Sequence, residues 1–284
     1  MILMTSAGGK TGRAVVKALA ARGQAVRAFV HREEQVGAAM ALGAREVIVG
    51  DMRDEVALRR AMGNAKAVYH ICPNVSPDEI AIGNWVIAAA RTAGVEHFIY
   101  HSVLHPQTEA MSHHWNKLRV EERLFESGLP STILQPTAYM QNILAGWKTI
   151  AEEGVWRIPY PVETQLSLVD LEDVAEAAAI VLTQAGHAGA TYELVGTSPM
   201  TQVEVTEALS QKLGRPVRAE AQSVEMWEQR ARAGGMGDYQ VETLIKMFRY
   251  YEQHGLVGNP HVLGWLLGRK PTTLEEWCQR MLNR

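Results

Sequence analysis

Cysteine is scarce in this sequence, since only Cys72 and Cys278 occur among 284 residues. Two thiols cannot form the disulfide framework of a small secreted domain, so a reducing, cytoplasmic setting is expected. Long apolar runs are also missing: no uncharged stretch reaches the ~18 residues that a membrane span requires. The apolar start Met1–Met4 is too short to serve as a signal peptide. The sequence therefore predicts neither secretion nor membrane insertion.

An excess of either charge is lacking as well. The net charge is −3, and charged residues make up 21% of the chain against 47% hydrophobic residues. This is the ordinary balance of a globular protein, with no basic stripe or helix-turn-helix pattern for direct nucleic-acid binding. The length suits one large domain or two intimate ones.

The first half of the chain alternates short Val- and Ile-rich runs with stretches of helical periodicity. The predicted strands are Met1–Met4, Ala25–Val30, Glu46–Val49, Ala67–Ile71, Phe98–Val103 and Thr132–Gln135. The predicted helices between them are Arg13–Arg22, Glu34–Leu42, Glu55–Met62, Asp78–Thr92 and Ser112–Ser127. Such alternation requires a parallel sheet with helices on both faces. The fold class expected is therefore α/β, a Rossmann-type doubly wound parallel sheet.

After Gln135 the alternation stops. Predicted elements are a helix at Tyr139–Glu153, an irregular loop at Trp156–Gln165, a strand at Leu166–Val169, a helix at Glu172–Thr183 and a strand at Tyr192–Val195. Four more helices are predicted at Gln202–Leu213, Val224–Ala233, Tyr239–His254 and Thr273–Leu282, with a glycine-rich hinge at 234–238. We predict a dinucleotide-binding domain of residues 1–135 with 166–195. Residues 136–165 with 196–284 form a smaller, mostly helical substrate-binding or cap region.

A glycine-rich turn stands between the first predicted strand and the first predicted helix. Its members are Ser6, Ala7, Gly8, Gly9, Lys10, Thr11 and Gly12. Glycine permits close approach of the backbone to a ligand, and the free N–H groups of a helix N-terminus attract a pyrophosphate. Ser6 occupies the position of the first glycine in the usual G-x-x-G-x-x-G pattern. The turn predicts dinucleotide binding, and the order of Lys10 and Thr11 before Gly12 disfavours a P-loop.

The residue that follows the second strand indicates which dinucleotide is preferred. Arg32 lies about 20 residues past Gly12, where an acidic residue would bind the ribose of NAD and a basic one suits the 2′-phosphate of NADP. Its planar fork matches phosphate, with Lys10 as a second cation, so NADP(H) is preferred over NAD(H). Glu33 and Glu34 leave a solvated charge cluster as the alternative.

Further cofactor contacts are predicted at the ends of the other strands. Asp51 follows the third strand and could bond the exocyclic amine of adenine, form an Asx turn or helix cap before Glu55, or do both. The remaining predicted cofactor-binding residues after strands three, four and six are Met52, Cys72, Pro73, Pro136 and Tyr139. Cys72 could equally be a small buried apolar residue.

A series of motifs resembles one protein family. It comprises the S-x-x-G-x-x-G turn, Arg32, Gly50-Asp51, the segment 113–124 and the segment 131–142, followed by 168–175 and 192–194. Together they are similar to the NmrA-like branch of the atypical short-chain dehydrogenases/reductases, over roughly residues 1–200. The resemblance implies an NADP(H)-binding protein. Family members are either NADPH-dependent reductases of quinones and aromatic dyes or non-catalytic NADP(H) sensors.

The resemblance also indicates candidate catalytic residues. Lys117 corresponds to the lysine that holds the nicotinamide ribose, but four residues before it stands His113, where the wider superfamily has a tyrosine. Ser102 lies near the superfamily's substrate serine. His113 or His114 could donate a proton, since imidazole titrates near neutrality, or both could be surface residues at a helix start. The ordinary Tyr-Lys mechanism is therefore absent, which argues against an alcohol dehydrogenase and is compatible with hydride transfer from the cofactor to a quinone or cationic dye.

Two remaining groups of side chains have weaker signals. Tyr139, Met140, Asn142 and Trp156 follow the sixth strand and are candidate substrate contacts, or they pack the C-terminal helices on the sheet. Histidines at 101, 105, 113 and 114 lack the spacing of a zinc site, so no metal is expected.

The leading hypothesis is an NADPH-dependent oxidoreductase that transfers hydride to a quinone-like or other planar, conjugated acceptor. The alternative is a non-catalytic NADP(H)-sensing regulator that acts through a protein partner, and a third is a non-redox tailoring enzyme on the same fold. A homodimer is left open. An apolar pocket at the nicotinamide favours the enzyme, whereas a filled one favours the sensor.

Overall fold

In a computed structural model, which describes residues 1–283, strands and helices alternate through the first two thirds of the chain. The strands are β1 Ile2–Met4, β2 Val26–Val30, β3 Glu46–Val49, β4 Ala67–His70, β5 His97–His101, β6 Ser131–Pro136, β7 Ala138–Tyr139, β8 Val155–Ile158, β9 Leu168–Val169, β10 Thr191–Leu194 and β11 Arg218–Ala221. The helices are α1 Lys10–Ala21, α2 Val36–Ala41, α3 Glu55–Met62, α4 Glu79–Thr92, α5 Ser112–Glu126, α6 Trp147–Glu153, α7 Leu171–Thr183, α8 Gln202–Leu213, α9 Val224–Ala233, α10 Asp238–His254, α11 His261–Leu267 and α12 Leu274–Leu282.

Seven strands form the main sheet in the order β10-β6-β5-β4-β1-β2-β3. Strands β1 to β6 pair in parallel, with registers such as Leu3 opposite Arg27 and Val68. Strand order reverses at β1, because the chain first builds β2 and β3 on one side and then returns to β4 on the other. In such sheets the crevice at the carboxyl ends of the central strands is where ligands bind. The predicted Rossmann-type α/β fold is confirmed.

The chain divides into two compact units. The first unit comprises Met1–Gln107, His113–Gln135 and Val174–Tyr192, and the second comprises Thr108–Ser112, Pro136–Asp173 and the chain from Glu193 onward. The predicted division assigned 166–173 to the dinucleotide-binding domain. Here those residues belong to the second unit, where β9 pairs with β7.

The core of the first unit lies between the sheet and helices α3, α4 and α5. Leu3, Val68 and Phe98 from the central strands are fully buried, as are Val86 of α4 and Val120 of α5. Strands buried on both faces explain why the sequence shows continuous apolar runs there and no alternation.

The second unit contains two small parallel sheets, β8 with β11 and β7 with β9, together with most of the C-terminal helices. The prediction of an irregular loop at Trp156–Gln165 is wrong at its start, because β8 occupies Val155–Ile158 and pairs with β11. Strand β11 and helix α11 were not predicted. The predicted helix Tyr139–Glu153 is a short strand and a 3₁₀ segment, Met140–Gly146, before α6 begins.

Gly154 explains how α6 gives way to β8. It caps the helix with a φ of 68°, the left-handed region that glycine adopts without strain. A β-carbon there would lie 2.8 Å from the carbonyl oxygen of Pro216, which precedes β11. Helix end and strand pairing therefore both require glycine. Among residues 1–283 no helix is long and apolar enough to cross a membrane.

Candidate functional site

The turn between β1 and α1 leaves the N-terminus of α1 without a side-chain cap. Gly9 is the capping residue, and the turn is closed by backbone bonds from Gly9 N–H to Ser6 O and from Ala7 N–H to Phe29 O, both 3.0 Å. The first N–H groups of a helix have no partner within the helix, and they carry partial positive charge. The turn therefore presents a set of donors suited to a phosphate or pyrophosphate.

Two residues of the turn show why small side chains are needed there. Ser6 adopts a φ of 47°, a left-handed conformation that is uncommon outside glycine and accounts for the usual glycine at this position. A β-carbon on Gly12 would lie 2.3 Å from Ser6 O and 2.7 Å from Ala7 Cα. The absence of a side chain at Gly12 lets the start of α1 pack directly on the turn. The turn and the free N–H groups of α1 therefore fit a dinucleotide pyrophosphate.

Gln35 connects this turn to the segment that follows β2. Its Oε1 accepts hydrogen bonds from the backbone N–H groups of His31 and Arg32, each at 3.1 Å. Its amide group also lies against Gly8, where a β-carbon would be 2.3 Å from Gln35 Nε2. The exposed side chain of Arg32 thus starts from a backbone position that is held beside the glycine-rich turn.

Asp51 forms the Asx turn that was one of its two predicted roles. Its Oδ1 accepts from Arg53 N–H at 2.9 Å, and its carboxylate is half-exposed. The cap of α3 is instead Asp54, which accepts from Val56 N–H at 2.8 Å. Met52 is buried in the core, so its side chain faces away from solvent.

Lys117, on α5, makes an ion pair within the first unit. Its Nζ donates to Glu79 Oε1 at 3.0 Å and to the carbonyl oxygen of His101 at 3.4 Å, and it lies 5.5 Å from the ring centroid of Tyr100. Glu79 also accepts from the Tyr100 hydroxyl at 2.8 Å. The ammonium group is therefore held from two sides, by α4 and by the carboxyl end of β5.

Ser102 follows β5 and is 2% exposed. Its hydroxyl donates to Glu121, one turn of α5 beyond Lys117, and Gln135 Nε2 donates to the same carboxylate at 2.9 Å. Burial is the main reason that the pKa of Glu121 is raised. The predicted substrate serine thus has its proton directed into the protein.

At the start of α5, His114 is buried and His113 is partly buried. His114 is 1% exposed and its Nδ1 bonds to the His105 carbonyl at 3.2 Å, whereas Nδ1 of His113 is buried without a hydrogen-bond partner. His114 is therefore not a surface residue, whereas His113 keeps partial exposure at the helix start. Burial, with His114 and Lys117 nearby, lowers the pKa of His113 to about 3. Near neutral pH this imidazole is uncharged and cannot serve as an imidazolium acid.

Cys72 is 3% exposed, and burial together with Glu79 raises the pKa of its thiol. A protonated, enclosed thiol is a poor nucleophile, which favours the packing role over redox sensing. Pro73, the next residue, is exposed. Within residues 1–283 no three His, Cys, Asp or Glu side chains are grouped to hold a metal ion.

The predicted substrate residues all belong to the second unit. Met140 is fully buried and Asn142 is exposed, whereas Tyr139 is partly buried. Trp156 packs on the 3₁₀ segment, because a β-carbon at Gly146 would lie 2.4 Å from its ring. Pro136, at the end of β6, is buried. Burial of Met140 favours the packing role that was the alternative to substrate contact, while the partly buried Trp156 is still a candidate for either role.

Several residues of the site were not predicted from the sequence, namely Gln35, Glu79, Tyr100, Glu121 and Gln135. Glu79 has the ordinary appearance of an acidic residue in a first helical turn, and Tyr100 that of a strand aromatic. Only Glu121 carried a usable signal, since it stands four residues after Lys117 on the same helix face.

A parallel sheet with this turn after its first strand defines a Rossmann-type dinucleotide-binding protein. The chain matches the model of the NmrA-like family over residues 1–279 and belongs to that family. The family membership predicted from the motifs is confirmed.

Relatives of known name span the whole chain. The chain is 30% identical over 286 residues to NAD(P)H azoreductase of Xenophilus azovorans, and the alignment covers 98% of this chain and 97% of the relative. It is 28% identical to quinone oxidoreductase 2 of Escherichia coli (strain K12), with 100% and 99% covered. The crystal structure of an NADPH-dependent quinone oxidoreductase from Escherichia coli, in complex with NADPH, is similar with a TM-score of 0.86 at 28% identity, covering 100% of both chains.

Proposed function

We propose that this protein is an NADPH-dependent oxidoreductase that reduces quinone-like, azo or other planar, conjugated acceptors. The observation that carries the proposal is the Gly12–Ser6 contact, which makes the turn before α1 fit a pyrophosphate. The names of the relatives, an azoreductase and a quinone oxidoreductase, support the redox activity and the class of acceptor.

Different residues of the first unit would bind different parts of the dinucleotide. The backbone of Ser6–Gly12 binds the pyrophosphate, and Asp51 is the candidate for the adenine. Arg32 pairs with a 2′-phosphate, with Lys10 as the second cation, which supports NADP(H) over NAD(H). Lys117 donates to the nicotinamide ribose.

The nicotinamide ring, when bound, supplies the hydride, so the protein needs chiefly to orient the two rings and exclude water. This explains how a reductase can dispense with a tyrosine at position 113. Of the three predicted catalytic side chains, His113 is uncharged near neutral pH and Ser102 donates to Glu121, which leaves Lys117 as the charged donor. Both cysteines are buried and unpaired, which supports the proposal of a reducing, cytoplasmic setting.

A second candidate is a non-catalytic NADP(H) sensor, and the observation that favours it is His113 in place of the superfamily's tyrosine. Here Lys117 would only bind the dinucleotide, and a protein partner would detect the bound state.

One experiment separates the two candidates. Loss of NADPH absorbance is followed with benzoquinones, naphthoquinones, azo dyes and triphenylmethane dyes, beside a fluorescence titration of NADPH and NADH. Turnover that falls at least ~10-fold in Lys117→Met is expected for the reductase. Tight NADPH binding without turnover on any acceptor would overturn the reductase and support the sensor.

A further inference from the structure

Glu79 is a buried carboxylate that is not among the residues proposed to bind the dinucleotide. It is 3% exposed, in the first turn of α4, which follows the loop after β4. A buried carboxylate is costly unless it is paired and hydrogen-bonded. Glu79 is both paired and hydrogen-bonded, because its Oε1 accepts from Lys117 Nζ at 3.0 Å and from the Tyr100 hydroxyl at 2.8 Å.

The surroundings of Lys117 leave its ammonium group one free direction. Of its three N–H donors, one points to Glu79 and one to the His101 carbonyl, and the ring centroid of Tyr100 lies 5.5 Å from Nζ. The side chain retains 15% exposure. The remaining N–H is thus the donor that an entering hydroxyl group would meet.

Lysine alone would not supply this orientation. Its four-carbon stem is flexible and its ammonium group is a point charge without directional preference. The rigid partners are Glu79, buried at a helix start, and Tyr100, fully buried on β5. Tyr100 in turn stacks on the His70 ring, with centroids 5.8 Å apart, which fixes the hydroxyl that holds Glu79.

We propose that Glu79 is a positioning residue for the dinucleotide: together with the Tyr100 hydroxyl it fixes the Lys117 ammonium so that its free N–H faces a ribose hydroxyl. The inference rests on the proposed binding of NADP(H), but not on the proposed reduction of an acceptor. Glu79 touches neither the cofactor nor the acceptor and acts only through Lys117.

A double-mutant cycle tests this role. The dissociation constant of NADPH is measured by fluorescence titration for the wild type, Glu79→Gln, Lys117→Met and the double variant. Glutamine keeps the size and one acceptor oxygen but removes the charge. We expect Glu79→Gln alone to weaken NADPH binding ~10-fold, and to have less than a ~2-fold effect once Lys117 is methionine, since a residue that acts through another is non-additive with it.

Two further variants distinguish positioning from a general loss of folding. Tyr100→Phe removes only the hydroxyl and should weaken NADPH binding ~3-fold, in the same direction as Glu79→Gln. Glu46→Gln breaks another ion pair of the first unit, Arg27 Nε to Glu46 Oε2 at 2.7 Å, in which the carboxylate is half-exposed, and should leave NADPH binding unchanged. Circular dichroism and thermal unfolding of each variant establish that it is folded.

The kinetic readout follows the same logic. If the wild type reduces an acceptor, the KM for NADPH should be higher in Glu79→Gln than in the wild type, with a smaller change in kcat. The inference would be overturned if Glu79→Gln weakened NADPH binding equally in the wild type and in Lys117→Met. It would also be overturned if Lys117→Met weakened NADPH binding and Glu79→Gln had no effect on it. Coupling between Glu79 and Lys117 in a protein that reduces no acceptor would leave this inference standing and overturn the reductase alone. A wild type that does not bind NADPH would overturn both.

Discussion

Gly12 on α1 lies so close to Ser6 in the preceding turn that a β-carbon on Gly12 would be 2.3 Å from the Ser6 carbonyl oxygen. The atoms in the way belong to the backbone, so no side-chain rotation relieves the contact. Ser6 itself is held at a φ of 47° by the same turn. The turn and the helix are therefore packed backbone to backbone, which is possible only because Gly12 has no β-carbon.

Gly12→Ala should for this reason displace the turn and weaken NADPH binding by at least ~100-fold. Titration of NADPH by fluorescence measures the effect. Gly37→Ala is the matched control, because that helical glycine has nothing within 4 Å of a new β-carbon. It should bind NADPH like the wild type and gain up to ~1 kcal/mol of stability from the better helix former. Wild-type affinity in Gly12→Ala would disprove the placement of the pyrophosphate.

Arg32→Gln removes the cation proposed for the 2′-phosphate. NADPH affinity should fall ~10- to 100-fold, while NADH affinity changes less than ~3-fold, because only NADPH loses a charge-assisted bond. The ratio of the two dissociation constants is the measurement. Arg45→Gln removes an equal exposed charge just before β3, at the amino ends of the parallel strands and so at the opposite end from Arg32, and should alter neither dissociation constant. Equal losses for both dinucleotides would show that Arg32 does not read the phosphate.

Gln35→Ala tests whether the backbone of Arg32 must be held in place. The variant loses both 3.1 Å bonds from His31 and Arg32 and leaves two N–H groups to solvent. We expect the NADPH-to-NADH affinity ratio to fall ~3- to 10-fold, less than for Arg32→Gln, since the guanidinium remains but is less ordered. Glu34→Ala, next to it and exposed, is the control and should not lower the ratio. An unchanged ratio in Gln35→Ala would mean that Arg32 needs no such support.

Stability should decrease as the pH falls below about 6.5, the ordinary pKa of histidine. Burial, aided by the charge of Lys117, lowers the pKa of His70 and of His101 to about 3. Between pH 3 and 6.5 the unfolded chain therefore binds protons that the folded chain does not, so protonation favours unfolding. Glu121 acts in the opposite direction, since burial raises its pKa, but His113 and His114 add to the histidine effect.

Urea unfolding at two pH values checks this dependence. Each buried histidine should remove about 1 kcal/mol of stability between about pH 7 and pH 5.5. His70→Gln cannot be protonated and should show a smaller loss between the two pH values than the wild type does. His254→Gln, a change at an exposed position, should keep the wild-type dependence. Identical pH dependence in His70→Gln would contradict a neutral, buried His70.

The sheet and the dinucleotide turn could be predicted from the sequence because local patterns encode them. Strands of the first unit were predicted to within about two residues, since runs buried on both faces read as continuous apolar segments. The second unit was predicted less well. Strands β8 and β11 have residues such as Arg157 and Glu220, which form an ion pair across the two strands, so neither segment shows an apolar run.

Tertiary structure alone decided which side chains surround Lys117. The sequence by itself determined that a lysine would stand on α5, that a glycine-rich turn would precede α1 and that Arg32 would follow β2. It gave no indication that Glu79, from a helix 38 residues earlier, would bind that lysine, or that Ser102 would donate to Glu121. Periodicity and turn chemistry act over a few residues, whereas a buried ion pair depends on helices and strands that meet only after the sheet has formed.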